Sequence, residues 1–375
     1  MPDLPTTRRR VRAIGASTTP SKVVDINSLN YIRGARHATQ PKPAQGAAMS
    51  QLDPTQVGGR VMAMREWLKG KVVGQSGPLD ELISCWQRWA AGLATPNRPM
   101  GIYLLVGPTG SGKTLVAKAF AEAITGTPQA LVRIDCGELA HSHEVARLIG
   151  APAGYLGHRE TAALLGGKAL YAHCTPEQPV SIILLDELDK AHPRVLDLFL
   201  GIFDAGRLTL GDNTTVDFSS TIILATANTG ANELQDMIAP RFGLVGPTQD
   251  IGDTAAASEG YVRKGLRPEF FNRLDKVLAF NQLSKEEVAA VLELELIALQ
   301  TRLATNSGIA LAFNPAAKEL IVNEGLDLRY GARHLKRAIR VLLEAPLANL
   351  IVSGEAKRGD TIDIDAAGGV LTFNA

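Results

Sequence analysis

Cysteine is scarce in this chain: Cys85, Cys136 and Cys174 are the only three in 375 residues. An odd number with no CxxC pair argues against a disulfide framework and a four-cysteine zinc site, and a reducing, cytoplasmic setting fits best. Long apolar runs are missing too. No stretch approaches the roughly 18 uninterrupted apolar residues that cross a bilayer, and no apolar segment follows the basic cluster near the start, so a soluble protein with no membrane partner is expected. Nor is there an excess of one charge, since 39 Lys/Arg against 38 Asp/Glu leave +1. That balance hides an asymmetry. Residues 1–50 hold eight basic and two acidic side chains, so residues 51–375 carry 31 and 36, a net −5. A mildly acidic body is a poor surface for nucleic acid.

What is present is a globular mix, 45% hydrophobic and 21% charged, long enough for two domains. Residues 1–55 read as a basic, disordered tail, with Arg8, Arg9, Arg10 and Arg12 ahead of a Ser/Thr/Pro/Ala-rich run that has no apolar period. A basic arm for an acidic partner and a targeting peptide are the other readings. Residues 56–280 alternate short apolar runs with amphipathic stretches, which predicts an α/β domain whose parallel sheet is covered by helices on both faces. Ile102–Val106, Leu131–Asp135, Ile182–Leu185 and Thr221–Thr226 are the expected strands, with helices at about 80–92, 113–125, 142–149 and 193–204. Residues 281–375 predict a smaller, mostly helical domain. It holds a helix from Ser284 to Ala304 capped by Ser284, further helices at 315–324 and 332–353, and short strands in Gly308–Phe313, Thr361–Asp365 and Val370–Phe373.

Gly107-Pro108-Thr109-Gly110-Ser111-Gly112-Lys113-Thr114 satisfies GxxxxGK[ST] and sits between a predicted strand and a predicted helix, as the phosphate-binding loop must. Its glycines let backbone N–H groups converge on phosphate oxygens, Lys113 reaches the β and γ phosphates of ATP, and Thr114 offers a hydroxyl to Mg2+. Some 70 residues on, Ser181–Leu185 is an apolar run ending in Asp186 and Glu187. Asp186 is placed to hold the metal through water, and Glu187 to polarise a water against the γ-phosphate. The run Thr221–Thr226 leads to Asn228, whose amide can orient that water. An isolated acidic strand end or turn asparagine carries no such meaning; behind a phosphate loop they form a hydrolytic set.

The order of these motifs, with Val72-Val73-Gly74-Gln75, Pro96-Asn97-Arg98-Pro99, Gly154-Tyr155-Leu156-Gly157, Arg267–Asp275 and Tyr330-Gly331-Ala332-Arg333, resembles a Clp-type AAA+ unfoldase, most closely the second ATPase module of ClpA and ClpB. The resemblance runs from about residue 60 to the C-terminus. It implies a P-loop AAA+ module with a lid domain, and a homo-hexameric ring that burns Mg-ATP to pull unfolded or tagged proteins through its pore. By it, Val72, Val73 and Gln75 lie at the adenine, and Arg273 is the finger offered to a neighbouring subunit. Arg333 is the lid's sensing arginine, and Tyr155 with Leu156 forms the pore loop. Departures are a single ATPase module, no coiled-coil middle insert, and a His158–Gln178 stretch longer than the family's usual. In Arg241-Phe242-Gly243-Leu244, the last three residues resemble the tripeptide that docks a ClpP-like peptidase, and the first three equally resemble the Arg-Phe-Gly of members that dock none. The rival readings are a nucleic-acid motor or transcription-activating ATPase, and a ring that binds ATP only to assemble. The first is opposed by the acidic body and the absence of a groove-reading segment, the second by the intact hydrolytic set.

Overall fold

The computed structural model describes residues 56–150, 163–175, 178–227, 267–326 and 331–375. The expected tail, Tyr155, Leu156, Asn228 and Phe242–Leu244 lie outside the described residues. In chain order come α1 (Gly59–Lys71), α2 (Ser76–Ala90), β1 (Gly101–Val106), α3 (Lys113–Thr125), β2 (Leu131–Asp135), α4 (Val145–Ile149), α5 (Gly167–Leu170), β3 (Ser181–Asp186) and α6 (Pro193–Ala205). A small hairpin of β4 (Arg207–Thr209) and β5 (Thr215–Asp217) leads to β6 (Thr221–Ala227), then α7 (Pro268–Phe271) and β7 (Lys276–Ala279).

Five strands form one parallel sheet in the order β2-β3-β6-β1-β7. Strands β1, β3 and β6 are buried along their whole length, so they read as continuous apolar runs rather than alternating ones. Alternation reappears in where each side chain packs. Ile102, Leu104, Ile183, Leu185 and Ile223 join Val195, Phe199 and Phe203 of α6 on one face. Tyr103, Leu105, Ile182, Leu184 and Leu224 meet Leu82 of α2 and Val116 and Phe120 of α3 on the other. All three cysteines are free thiols, and burial pushes the Cys136 thiol up to about 12.

The second core is built from α8 (Lys285–Asn306), β8 (Ala310–Phe313), α9 (Pro315–Gly325), α10 (Ala332–Ile339), α11 (Ala345–Ser353), β9 (Thr361–Ala367) and β10 (Val370–Asn374). Ser284 accepts a bond from the Glu287 N–H while Glu287 accepts one from the Ser284 N–H, a reciprocal cap that fixes where α8 starts. The strands make a three-stranded sheet in the order β10-β9-β8.

Several expectations need correction. The helix expected at 80–92 spans Ser76–Ala90, the stretch 142–149 opens as a 3-10 turn over Ser142–Glu144, and the strand expected to stop at Thr226 runs through Ala227. The helix expected over 332–353 is interrupted by a π turn at Arg340–Glu344, directly before Pro346. A proline has no N–H for the carbonyl four residues back, and the wider turn absorbs the misfit. Helix α1 and strand β7 were not foreseen, because α1 mixes apolar and basic residues without a clear face and β7 is four residues long. No described helix is long and apolar enough to cross a membrane.

Candidate active site

Strand β1 delivers the chain to Gly107, and the loop turns through Gly107, Gly110 and Gly112 at φ of 145°, 80° and 100°, values that residues with a Cβ rarely adopt. At Gly107 there is also no room: a Cβ would lie 2.5 Å from the Phe280 carbonyl oxygen. Helix α3 begins at Lys113, so the loop occupies a helix N-terminus, where unpaired N–H groups favour an anion. The Lys113 ammonium is buried and donates to the carbonyls of Gly107 at 2.6 Å and Pro108 at 3.0 Å. Burial pushes its pKa down to about 8, with Asp186 pulling the other way. Ser111 is 3% exposed, and its hydroxyl has no hydrogen-bond partner among the described residues. A desolvated cation turned onto carbonyls, an orphaned hydroxyl and a glycine loop fit a polyphosphate. Thr114, half-exposed on the first turn of α3, and Asp186 supply the hard oxygen donors that suit Mg2+.

Strand β3 carries Asp186 and Glu187 to the same end of the sheet. Asp186 is 9% exposed and fully engaged: its Oδ2 accepts from Arg133 Nε at 3.1 Å and from the same guanidinium at 2.7 Å, and its Oδ1 accepts from Thr226 Oγ1 at 2.6 Å. Glu187 sits in the left-handed region, φ 55° and ψ 49°, which costs a residue with a side chain about 1 kcal/mol or more. Its N–H donates to Thr226 Oγ1 at 2.9 Å, and Lys190 Nζ donates to its Oε2 at 2.6 Å. Thr226 and Ala227, which precede Asn228, end strand β6 between β3 and β1.

Gln75 also reaches the loop, though not as an open binding group. Its Nε2 donates to the carbonyls of Ser111 at 3.2 Å and Asn281 at 3.0 Å, and its Oε1 accepts from the Asn281 N–H at 3.2 Å. Val72 is buried in the core and Val73 is half-buried beside it. The lid closes the site from the other side. The Ala332 N–H donates to the Gly110 carbonyl at 3.2 Å, and the exposed Arg333 is near enough for its charge to lower the Lys113 pKa.

Arg273 is elsewhere. Its Nε donates to both carboxylate oxygens of Asp204 at 2.7 Å, its NH1 donates to the Glu269 carbonyl, and its own carbonyl accepts from Arg98 at 2.8 Å. Two residues on, Asp275 pairs with Arg98 and exchanges hydrogen bonds with Ile102, near the start of β1. The phosphate loop leaves the other end of that strand, about 15 Å away at some 3.3 Å per residue. The arrangement therefore gathers Gly107–Thr114, Gln75, Asp186, Glu187 and Arg333 and leaves Arg273 far from them.

Residues 98–277 match the family model of the AAA domain (Cdc48 subfamily), and residues 283–364 match that of the C-terminal, D2-small domain of ClpB protein. The chain belongs to the Clp-type AAA+ family. It is 40% identical over 315 residues to the chaperone protein ClpB of Rhodopseudomonas palustris, covering 84% of this chain and 34% of that protein. It is 36% identical over 323 residues to the ATP-dependent Clp protease ATP-binding subunit ClpC of Staphylococcus saprophyticus, covering 86% and 38%. Among solved structures it resembles Hsp104 with ATPγS and FITC-casein in the closed state (TM-score 0.72) and the S. cerevisiae Hsp104–casein complex in the extended conformation (TM-score 0.73). Both are 30% identical and cover 84% of this chain and 52% of theirs. The chain thus spans about a third of the length of the curated relatives it matches. As an AAA+ module of this type it belongs to a family of ATPases.

Two partners of Asp186 escaped sequence reasoning, Arg133 and Thr226. Each left a faint signal, a guanidinium and a hydroxyl inside otherwise apolar strands that flank β3. Only the strand order assigns them to Asp186.

Proposed function

We propose that this chain is the motor of an ATP-dependent protein unfoldase or remodeller, working as a homo-hexamer in the cytoplasm. The observation that carries this reading is the separation of Arg273 from its own phosphate loop. The described site residues gather at the loop end of β1, while Arg273 stands at the opposite end, paired with Asp204, a partner it would leave to serve a neighbour's site. Thr114 and Asp186 would hold Mg2+, which would supply positive charge to the phosphate oxygens. Lys113 and Arg333 bind those oxygens, Glu187 takes the proton from the attacking water, and Asn228 orients that water. Val73 offers apolar contact to the adenine, Val72 backs it from the core, and Gln75 holds the loop's backbone. Arg273 supplies a fixed positive charge to the adjoining site.

Tyr155 and Leu156 belong to this reading as the pore grip, since an aromatic face holds polypeptide of almost any sequence by contact alone. A ClpP-like peptidase at Phe242–Leu244 is a further option, supported only by the tripeptide. The protein-directed reading is preferred to a nucleic-acid motor because residues 51–375 are net negative.

Glu187→Gln tests it. The variant should bind ATP with near-normal affinity, turn it over at least 100-fold more slowly, and hold unfolded protein in a stable complex under ATP. Near-normal turnover would overturn the assignment of the base. Stimulation of the unaltered chain's ATPase by single-stranded or duplex DNA, and not by unfolded casein, would favour the nucleic-acid motor.

A further inference from the structure

We propose that Thr226 is a positioning residue for hydrolysis, one hydroxyl that sets both the metal-holding carboxylate and the base. The inference rests on the roles proposed above for Asp186 and Glu187 and goes beyond them to what holds the pair in place.

Thr226 is 2% exposed and lies on β6, next to β3. Its hydroxyl is used twice. The proton goes to Asp186 Oδ1 at 2.6 Å, and a lone pair accepts the Glu187 N–H at 2.9 Å. The first bond decides which Asp186 oxygen faces Arg133. With Oδ1 taken by Thr226 and Oδ2 by the guanidinium, the carboxylate has one orientation. The second bond fixes the backbone where the chain leaves β3 and Glu187 enters the left-handed region at φ 55°. A residue in that strained conformation needs an external hold, and its part-buried N–H has this hydroxyl as its acceptor. The Glu187 side chain leaves from that turn, and its carboxylate accepts from Lys190 Nζ at 2.6 Å.

Glycine at position 137 fits the same picture. A Cβ there would lie 3.4 Å from Glu187 Oε2 and 3.1 Å from Asp135 Oδ1, so the base is packed against bare backbone. Glu187 thus has a set place, and Thr226 anchors the end of the chain that leads to it. Because the hydroxyl is hydrogen-bonded on both sides and buried behind the two carboxylates, Thr226 does not itself meet the nucleotide.

The test uses the full chain with Thr226→Val, which keeps the β-branch and volume and deletes the oxygen, and Thr226→Ser, which keeps the oxygen. Turnover and KM for ATP are measured across a Mg2+ titration, with Glu187→Gln run alongside. Thr226→Val should retain ATP affinity within about threefold, lose about 10- to 100-fold in kcat, and need more Mg2+ for half-maximal rate, because a buried charged group has lost its bond. Thr226→Ser should recover most of the kcat and the normal Mg2+ requirement. If Thr226→Val does not fold, Thr226→Ala is measured in its place. Failure of both to fold overturns the proposal, because the hydroxyl is then a determinant of the fold. So does unchanged kcat in Thr226→Val while Glu187→Gln is inactive, an outcome that leaves the ATPase reading standing. If Glu187→Gln turns over normally, that reading fails first.

Discussion

At the scale of single residues, the acidic end of β3 shows how a buried charge is tolerated before its ligand arrives. Asp186 is nearly inaccessible, and Arg133, itself half-exposed, provides the cation. Replacing Arg133 with Met keeps the aliphatic stem and removes the charge, leaving the carboxylate in a dry place with only Thr226. The nucleotide-free protein should lose about 1–2 kcal/mol, toward the low end because solvent reaches the guanidinium. That corresponds to a drop of a few degrees in Tm. Saturating Mg-ADP should recover much of it, since a bound metal supplies the missing positive charge. Thermal unfolding with and without Mg-ADP checks this, and equal losses in both conditions would remove Arg133 from the metal site. Lys113 presents the reverse case. Its ammonium is desolvated to a pKa of about 8 and satisfied by two carbonyls of its own loop, so phosphate oxygens offer a counter-charge those carbonyls lack.

At the scale of elements, the lid meets the phosphate loop through backbone at close quarters. Gly331 has φ 51° and ψ −138°, a region open to glycine alone, and a Cβ on it would stand 3.0 Å from the Gly110 oxygen. Gly331→Ala must therefore twist the start of α10 or push it off the loop, displacing Arg333 with it. We expect ATP affinity to fall about tenfold while the cores on the two faces of the parallel sheet, which do not include this junction, hold the Tm within a few degrees of the original, only the edge of the lid core at Ala332 being disturbed. Nucleotide titration beside thermal unfolding distinguishes the effects. Normal affinity in a folded Gly331→Ala chain would mean that the lid arginine does not bind nucleotide. Gln75 belongs to the same junction, tying the loop at Ser111 to Asn281 just before α8.

For the whole molecule, the decisive feature is that Arg273 cannot serve its own site. It is pinned at the start of β1 by Asp204, Arg98 and the Asp275–Ile102 bonds, a strand's length from Gly107. Arg273→Ala should bind ATP and hydrolyse it poorly, with a loss approaching the roughly 10³–10⁵-fold that arginine fingers supply elsewhere. Mixing supplies the check. Arg273→Ala and Glu187→Gln subunits, each inactive alone, should regain turnover together, because a ring placing an intact finger beside an intact base has a working site. Absence of recovery in rings shown to contain both variants would make the arginine's role internal or structural.

Much of this was written locally. A glycine loop between a strand and a helix, an acidic pair ending an apolar run and a capping box are each encoded within a few adjacent residues, so Gly107–Thr114, Asp186–Glu187 and Ser284–Glu287 could be read without coordinates. The three-layer order followed from the alternation of apolar runs and helical patterns. Short or irregular pieces could not be read this way. Helix α1 lacks a marked apolar face, β7 is four residues long, and the π turn before Pro346 depends on a carbonyl left without its donor. The partners of the acidic pair were beyond the sequence for a different reason. Arg133 is 53 residues before Asp186 and Thr226 is 40 after it, and nothing local links them. Placing β3 between β2 and β6 brings both side chains to one carboxylate, and the same sheet order sets Arg273 at the far end from the loop. Local pattern determined which groups the chain carries; the order and register of the parallel strands decided which of them meet.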